Sequence, residues 1–259
     1  MLGLLPLLSL ACAIQPVNPS FPVAREQAVR ELDRMAAASR KLDRPLLIIG
    51  GFLDPGVGNQ VVRLKLGALT DDRQIVDVGM GDCFSFDDCR KKVIDAVEAT
   101  FHSDNLAETV EVDVVGLSMG GLVARYAAMP IDAQHARRLR IARLFTISSP
   151  LAGADLAERM PAFHPLMEKM RPGSDFVKAI NANAPTYPVF SYVRLGDLPV
   201  GAAHAALPGK TAWWLSTPPL EEPHCEGLWD PRILADIARR LRSEPPLTTE
   251  PPAPLPVKS

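Results

Sequence analysis

A serine flanked by glycines is the residue of this chain whose surroundings best suit covalent chemistry. Ser118 lies in Gly-Leu-Ser-Met-Gly-Gly at positions 116–121, after the apolar run 112–115 and before the helix-forming run 122–129. A tight strand–helix turn lifts the serine hydroxyl above a sheet and requires small residues two positions before and after it. The following helix N-terminus can stabilise a developing oxyanion. The pattern predicts a nucleophilic serine; an ordinary turn with an inert serine is the alternative.

A serine hydroxyl needs a base at neutral pH, most often a histidine that a carboxylate orients. The histidines of the chain are His102, His135, His164, His204 and His224. Of these, only His224 follows the last predicted strand and precedes the closing helix. Candidate carboxylates include Asp197, directly after Gly196, with Asp175 and Asp230 as rivals. Asp230 is better explained as a helix N-cap, because Pro231 follows it.

The elements that must position these residues alternate between strands and helices. Strands are predicted at 45–49, 74–78, 112–115, 143–148, 189–195 and 212–215. Helices are predicted at 23–42, 61–69, 87–101, 122–129 and 231–241, with Asp87 or Asp88 near the cap of the third. This order predicts an α/β protein with a mostly parallel central sheet flanked by helices. Residues 155–188, rich in Met, Phe and Pro, are predicted to form a helical lid; helices packed into the core are the alternative.

Composition restricts the function classes. A chain of 259 residues with 47% hydrophobic content suits one large domain, placed at 23–242, and a net charge of −2 excludes a basic nucleic-acid surface. Residues 1–22 are interpreted as a signal-like apolar segment followed by a Pro-rich linker, although no Lys or Arg precedes the apolar run. Residues 243–259 are predicted to be a disordered Pro-rich tail.

The cysteines of the chain give information about the cellular compartment of the protein. Residues 8–12 resemble a bacterial lipobox, so Cys12 is a candidate lipidated membrane tether; an apolar N-terminus packed on the domain is the alternative. We therefore expect an exported protein, periplasmic or membrane-anchored, with a cytoplasmic location as the alternative. Cys83 and Cys89 are close enough in sequence for a disulfide if the chain is exported, which leaves Cys225 over. No Cys/His spacing resembles a zinc site, so no metal is expected.

The chain resembles a bacterial lipase/esterase of the α/β-hydrolase superfamily. The matching pieces lie between residues 45 and 242: Gly-Gly-Phe at 50–52, the serine motif at 116–121, Ser-Pro-Leu-Ala-Gly at 149–153, Gly-Asp at 196–197, and His224 with the helix after it. The serine motif and the Ser-Pro-x-x-Gly segment are similar to those of true lipases and of lipase-like enzymes that deacylate lipid anchors. One departure is Gly50, where many lipases have histidine.

The resemblance implies an α/β-hydrolase fold and assigns roles. Its chain order of serine, acid and histidine makes Asp197 the acid and His224 the base for Ser118. The backbone N–H groups of Phe52 and Met119 would hold the oxyanion. The implied activity is hydrolysis of carboxylic esters, with a small-molecule or lipid ester as substrate and no cofactor. The alternatives are a non-catalytic envelope protein of the same fold, or a thioesterase, amidase or acyltransferase with the same triad.

Overall fold

A six-stranded parallel sheet forms the centre of the part of the chain that the computed structural model describes, residues 15–70 and 74–256. In chain order the strands are β1 (Leu46–Ile49), β2 (Ile75–Val78), β3 (Glu108–Leu117), β4 (Arg138–Ile147), β5 (Val189–Arg194) and β6 (Trp213–Leu215). The helices are α1 (Arg25–Ala37), α2 (Val57–Gly67), α3 (Phe86–Thr100), α4 (Met119–Ala127), α5 (Asp155–Arg159), α6 (Pro165–Lys169), α7 (Asp175–Ala182), α8 (Pro223–Leu228) and α9 (Pro231–Leu241). The predicted parallel α/β sheet is confirmed.

The strand order brings the predicted site residues to one edge of the sheet. The order is β2-β1-β3-β4-β5-β6, and all five pairings are parallel. Gly116 near the end of β3 lies opposite Ile49 of β1 and Thr146 of β4. Because parallel strands end at the same edge, the segments after β1, β3, β5 and β6 meet there, which is where open α/β sheets bind ligands.

Apolar side chains fill a core on each face of this sheet. Leu47 and Ile49 of β1 pack on one face with residues of α3 and α4, whereas Leu46 and Ile48 pack on the other with residues of α1, α2 and α9. All four β1 residues are buried, as expected for a central parallel strand covered by helices on both faces.

Two helix starts show how local sequence sets the boundaries. Helix α3 begins with a capping box, in which the Ser85 side chain accepts from Asp88 N–H and the Asp88 carboxylate accepts from Ser85 N–H. The cap is therefore Ser85, and Asp88 is its partner in the first turn. Asp230 caps α9 by accepting from Arg232 N–H at 2.9 Å, as the sequence predicts.

The segment 155–188 forms three short helices, α5 to α7. Most of its large apolar side chains are buried in the core, namely Leu166, Met167, Met170, Val177 and Ile180. Between α5 and α6, however, Phe163 remains 66% exposed. The core-packed alternative therefore describes α6 and α7, and a covering role for 160–164 stays a prediction.

The segments beside both chain ends differ from the sequence-based expectation. The sequence predicts a disordered tail at 243–259, yet in its described part, 243–256, Thr249 O and Ala253 O accept from the indole N–H groups of Trp213 and Trp214. Residues 15–22 were interpreted as a linker, yet Phe21 is buried and Ser20 O accepts from Thr249 N–H. The two segments cover the edge strand β6. Their buried hydrogen bonds to the domain keep them ordered despite a composition that is typical of disorder.

The expected export signal is not addressed by the described residues. Cys12 and the rest of residues 1–14 lie outside them. Within the described residues, no helix combines the length and apolar character needed to cross a bilayer. The described cysteines Cys83, Cys89 and Cys225 are free thiols, so the disulfide considered from sequence is not formed in this structure.

Removing residues 246–259 should destabilise the domain. The buried Asp236 carboxylate accepts from Leu247 N–H and, at 2.9 Å, from Thr248 N–H, and the truncation deletes both donors. Hydrogen bonds to charged groups contribute roughly 1.5–3 kcal/mol each, so we expect a loss of about 3–5 kcal/mol in the free energy of unfolding. Urea unfolding measures it.

The matched control is Thr248→Val, which keeps both backbone donors and removes only a hydroxyl that donates to the Asp236 carboxylate and accepts from Arg240, so it should cost less than the truncation, roughly 1.5–3 kcal/mol. If the truncated chain had the same urea midpoint and the same dependence of unfolding free energy on urea as the full chain, the tail would not be part of the folded unit.

Candidate active site

Ser118 lies on a strained turn between β3 and α4. Its backbone has φ 49° and ψ −124°, a left-handed conformation that a residue with a side chain rarely adopts. Ser118 N–H donates to Ile147 O at 2.9 Å, which ties the turn to the end of β4. Strain of this kind persists only where the surroundings hold it, and it aims the hydroxyl away from the sheet.

Close backbone packing holds this turn. A Cβ at Gly120 would lie 2.2 Å from Ile49 O, and one at Gly116 would lie 2.5 Å from Gly121 Cα. The predicted need for small residues two positions before and after the serine is therefore confirmed. A Cβ at Gly121 would also lie 2.4 Å from Ser149 Oγ, which itself donates to Gly116 O at 3.2 Å. Only glycine fits at all three positions.

His224 lies within hydrogen-bond distance of Ser118. Its Nε2 is 3.0 Å from Ser118 Oγ. His224 is the second residue of α8, where the sequence predicted a loop. The Glu222 side chain caps this helix by accepting from the N–H groups of His224 and Cys225, and Pro223 is at the first position. Glutamate is not among the preferred N-cap residues, so the local sequence gives little signal for this short helix.

Asp197 holds the opposite side of the imidazole. Both its carboxylate oxygens are 3.0 Å from His224 Nδ1. Gly196, with φ 86°, makes the turn after β5, and Val200 N–H donates to Asp197 Oδ1 at 3.0 Å. A carboxylate at Nδ1 accepts the proton on that nitrogen, so Nε2 is the atom left to accept the Ser118 hydroxyl proton.

The remaining histidines have other partners. His204 Nδ1 is 2.7 Å from Asp155, His135 lies between Asp87 and Asp132, and His164 accepts from Leu166 N–H as the cap of α6. His102 is mostly exposed beside Glu98. None of these four imidazoles is hydrogen-bonded to Ser118.

The rival carboxylates are also placed elsewhere. Asp175 is fully exposed at the start of α7. Asp230 is buried but binds Arg194 and Arg232 and caps α9. The structure therefore brings together Ser118, Asp197 and His224, the set that the resemblance selected.

The loop after β1 approaches the serine from the other side. A Cβ on Gly51 would lie 3.2 Å from Ser118 Cβ, so the backbone preceding Phe52 runs directly against Ser118. Among the described residues, neither Phe52 N–H nor Met119 N–H donates to a protein acceptor. Both groups remain available to a ligand, and their assignment as oxyanion donors stays a proposal.

Asn59 explains the departure at Gly50. This α2 residue is fully buried, and a Cβ on Gly50 would lie 2.9 Å from its Oδ1. The Asn59 carboxamide thus occupies the space that a side chain at position 50 would need, and neither of its polar atoms has a protein partner among the described residues. The unusual glycine is visible in the sequence, whereas the asparagine that fills its place is identified only by the tertiary structure.

Comparison with known proteins gives one family match. A family model described as the PGAP1-like alpha/beta domain matches residues 86–169, which contain Ser118 but neither Asp197 nor His224. No curated protein matches the sequence significantly.

Solved structures resemble the chain at low sequence identity. The lin2722 gene product of Listeria innocua aligns over 76% of this chain and 92% of that chain, with a TM-score of 0.49 and 14% identity. Bacillus licheniformis lipase BlEst2, in its propeptide form, aligns over 84% of this chain and 52% of that chain, with a TM-score of 0.54 and 14% identity. The chain has the α/β-hydrolase fold. At this identity the likeness concerns the fold alone, so the chemistry must be argued from this chain's own residues.

Gly50→Ala should destabilise this α/β-hydrolase-fold chain through a clash with Asn59. Overpacking a rigid core typically costs about 1–3 kcal/mol, and we expect that range in urea unfolding. Gly50→Ala combined with Asn59→Ala removes the clashing carboxamide, so the two substitutions should couple favourably by about 1 kcal/mol or more. Strict additivity of the two single effects would contradict the contact.

Proposed function

We propose that this chain is a serine hydrolase that cleaves carboxylic esters through Ser118, His224 and Asp197. The observation that carries the proposal is the continuous hydrogen-bonded series from Ser118 Oγ to His224 Nε2, and from Nδ1 to Asp197, with 3.0 Å at each step. The serine lies on a strained turn at a helix N-terminus, where nucleophile and oxyanion donors can act on one carbonyl.

The proposed reaction has two halves. His224 Nε2 takes the Ser118 hydroxyl proton while Oγ attacks the ester carbonyl, and the N–H groups of Phe52 and Met119 hold the oxyanion. The tetrahedral intermediate then collapses, and His224 gives the proton to the departing alcohol, which leaves an acyl-enzyme. In the second half His224 removes a proton from water, the hydroxide attacks the acyl carbonyl, and the carboxylic acid leaves as Ser118 regains its proton.

Apolar side chains at the same edge of the sheet favour an ester with an apolar acyl group. Phe52 packs against Phe163 and His164, with ring centroids 6.1 Å and 5.2 Å apart. Phe84 stacks on His164 and is largely exposed. Leu198, next to Asp197, is also exposed. Exposed aromatic and aliphatic groups beside a nucleophile fit a hydrocarbon chain better than a charged acid.

A cysteine next to the base does not compete with Ser118. Partial desolvation, together with the hydrogen bond and negative charge of Glu222, raises the pKa of the exposed Cys225 thiol. The thiol is therefore protonated at neutral pH and a poor nucleophile.

A fluorophosphonate probe should label Ser118 alone. Intact mass and peptide mapping should find one adduct, which should be absent in Ser118→Ala. In His224→Ala the rate of labelling should fall by roughly 10³-fold or more, because the hydroxyl loses its base. Asp197→Asn should lower kcat on p-nitrophenyl butyrate by roughly 10³–10⁴-fold, because the histidine loses the partner that fixes its tautomer.

Controls make the result decisive. Cys225→Ala should label like the wild type, since its thiol takes no part. A folded chain that stays unlabelled, with and without detergent, would favour the non-catalytic alternative. Labelling without ester turnover would favour thioester, amide or acyl-transfer substrates.

Phe163→Ser should change the acyl-chain preference. Removing apolar contact for a long chain costs about 1–2 kcal/mol, so kcat/KM on p-nitrophenyl laurate should fall about 5–30-fold. The short butyrate ester should be hydrolysed within about twofold of the wild-type rate, as expected if it does not reach residue 163. Equal losses on both esters would contradict an acyl-chain role for this aromatic group.

A further inference from the structure

Arg194 is a charged residue that is completely buried at the end of β5. Its side chain has no exposed surface, and the mechanism above does not use it. The guanidinium donates from Nε and Nη2 to Asp230 Oδ2, at 2.9 Å and 2.7 Å, and from Nη1 to Glu221. A buried charge of this kind is costly unless every donor is paired, so its partners show what the residue holds together.

The two partners of Arg194 lie on either side of the base. Glu221 precedes His224 and Asp230 follows it, so one guanidinium binds both ends of the segment that carries His224. Within that segment, Gly227 lies directly over the Arg194 stem, where a Cβ would be 3.7 Å from Cγ. Arg194 therefore contacts the segment 221–230 near its beginning, its middle and its end.

Arg194 is also joined to the acid. Asp197 follows it after the turn at Gly196, and Asp197 N–H donates to Arg194 O at 3.4 Å. The residue thus contacts the acid through its backbone and the segment bearing the base through its side chain.

We propose that Arg194 is a positioning residue, which holds His224 at hydrogen-bond distance from Asp197 and Ser118 by bridging Glu221 and Asp230. This inference rests on the proposed function, because it assumes that His224 is the base. Arg194 touches neither substrate nor reacting atoms and acts only through the geometry of the segment.

The charges of the bridge are compatible with this role. Burial acts to raise the pKa of Asp230, but the hydrogen bond and charge of Arg232 and the charge of Arg194 outweigh it, and the net shift is downward. The pKa of this carboxylate is lower in the folded chain than in the unfolded chain. The ionised carboxylate therefore stabilises the folded chain at pH values above its unfolded-state pKa, and this stabilisation is lost as the pH falls through the folded-state pKa. The Asp230 carboxylate is therefore ionised at neutral pH and pairs with Arg194 as an anion.

Two other cations allow matched controls. Arg232 also binds Asp230, at 2.7 Å from Nη2 to Oδ2, but it does not reach Glu221. Arg25 lies 3.6 Å from Glu221 without contacting Asp230. Arg232→Met and Arg25→Met each remove one ion pair from a bridge carboxylate and leave the bridge intact.

The test compares Glu221→Ala and Glu221→Gln with these controls. Each variant is measured for kcat and KM on p-nitrophenyl butyrate, for the rate of fluorophosphonate labelling and for thermal stability. Glu221→Ala should lower kcat and the labelling rate by about 10–100-fold with KM within about twofold, because a displaced base affects the reaction and not ground-state binding. Glu221→Gln keeps an oxygen that accepts from Nη1, so it should recover most of the lost kcat. Arg232→Met and Arg25→Met should lower the thermal stability and leave kcat and the labelling rate unchanged.

Each outcome bears on the proposal. A folded Glu221→Ala variant with wild-type kcat would overturn it, as would equal kcat losses in Glu221→Ala and Arg232→Met. If Glu221→Ala does not fold, Arg194→Lys decides: its single ammonium cannot reproduce the forked bridge, so kcat must fall, and an unchanged kcat overturns the proposal. Absence of labelling in the wild-type chain would instead refute the proposed function, which is measured first.

Discussion

The structure depends on the close approach of three backbone segments beneath Ser118. Gly120 packs against the carbonyl of Ile49, Gly116 packs against Gly121, and Gly121 packs against Ser149. This contact allows Ser118 to keep its left-handed φ, and it brings the end of β1 close enough for the following loop to run against Ser118. A single methyl group at any of these glycines would separate the elements that the candidate site needs together.

The other half of the site is built around buried charge instead of close packing. Asp197 and His224 lie on segments after β5 and β6, neither of which is held by the glycine contacts. Arg194 supplies the connection, because its guanidinium pairs with carboxylates at both ends of the segment that carries His224. The two halves are held differently: steric fit positions Ser118, whereas ion pairs hold the segment that carries His224.

The periphery shows a similar use of polar contacts. Residues 15–22 and 243–256 look like linker and tail by composition, yet both make buried hydrogen bonds to the domain. Asn18 donates to Trp214 O of β6 at 2.8 Å, and the Asp236 carboxylate of α9 accepts from the N–H groups of Leu247 and Thr248. A polar, proline-rich segment can be ordered when a folded domain offers unpaired donors and acceptors along an edge.

The sequence by itself determined the α/β class, the strand–helix alternation and Ser118 as the candidate nucleophile, because these depend on local patterns of apolar residues and glycine. The resemblance added Asp197 and His224, since chain order within a fold selects among otherwise similar residues. Tertiary structure alone decided the rest. The bridging role of Arg194 and the Asn59 side chain that replaces a residue at position 50 are contacts between segments distant in sequence. No local pattern encodes such contacts, because burial and pairing exist only after the strands have taken their places in the sheet.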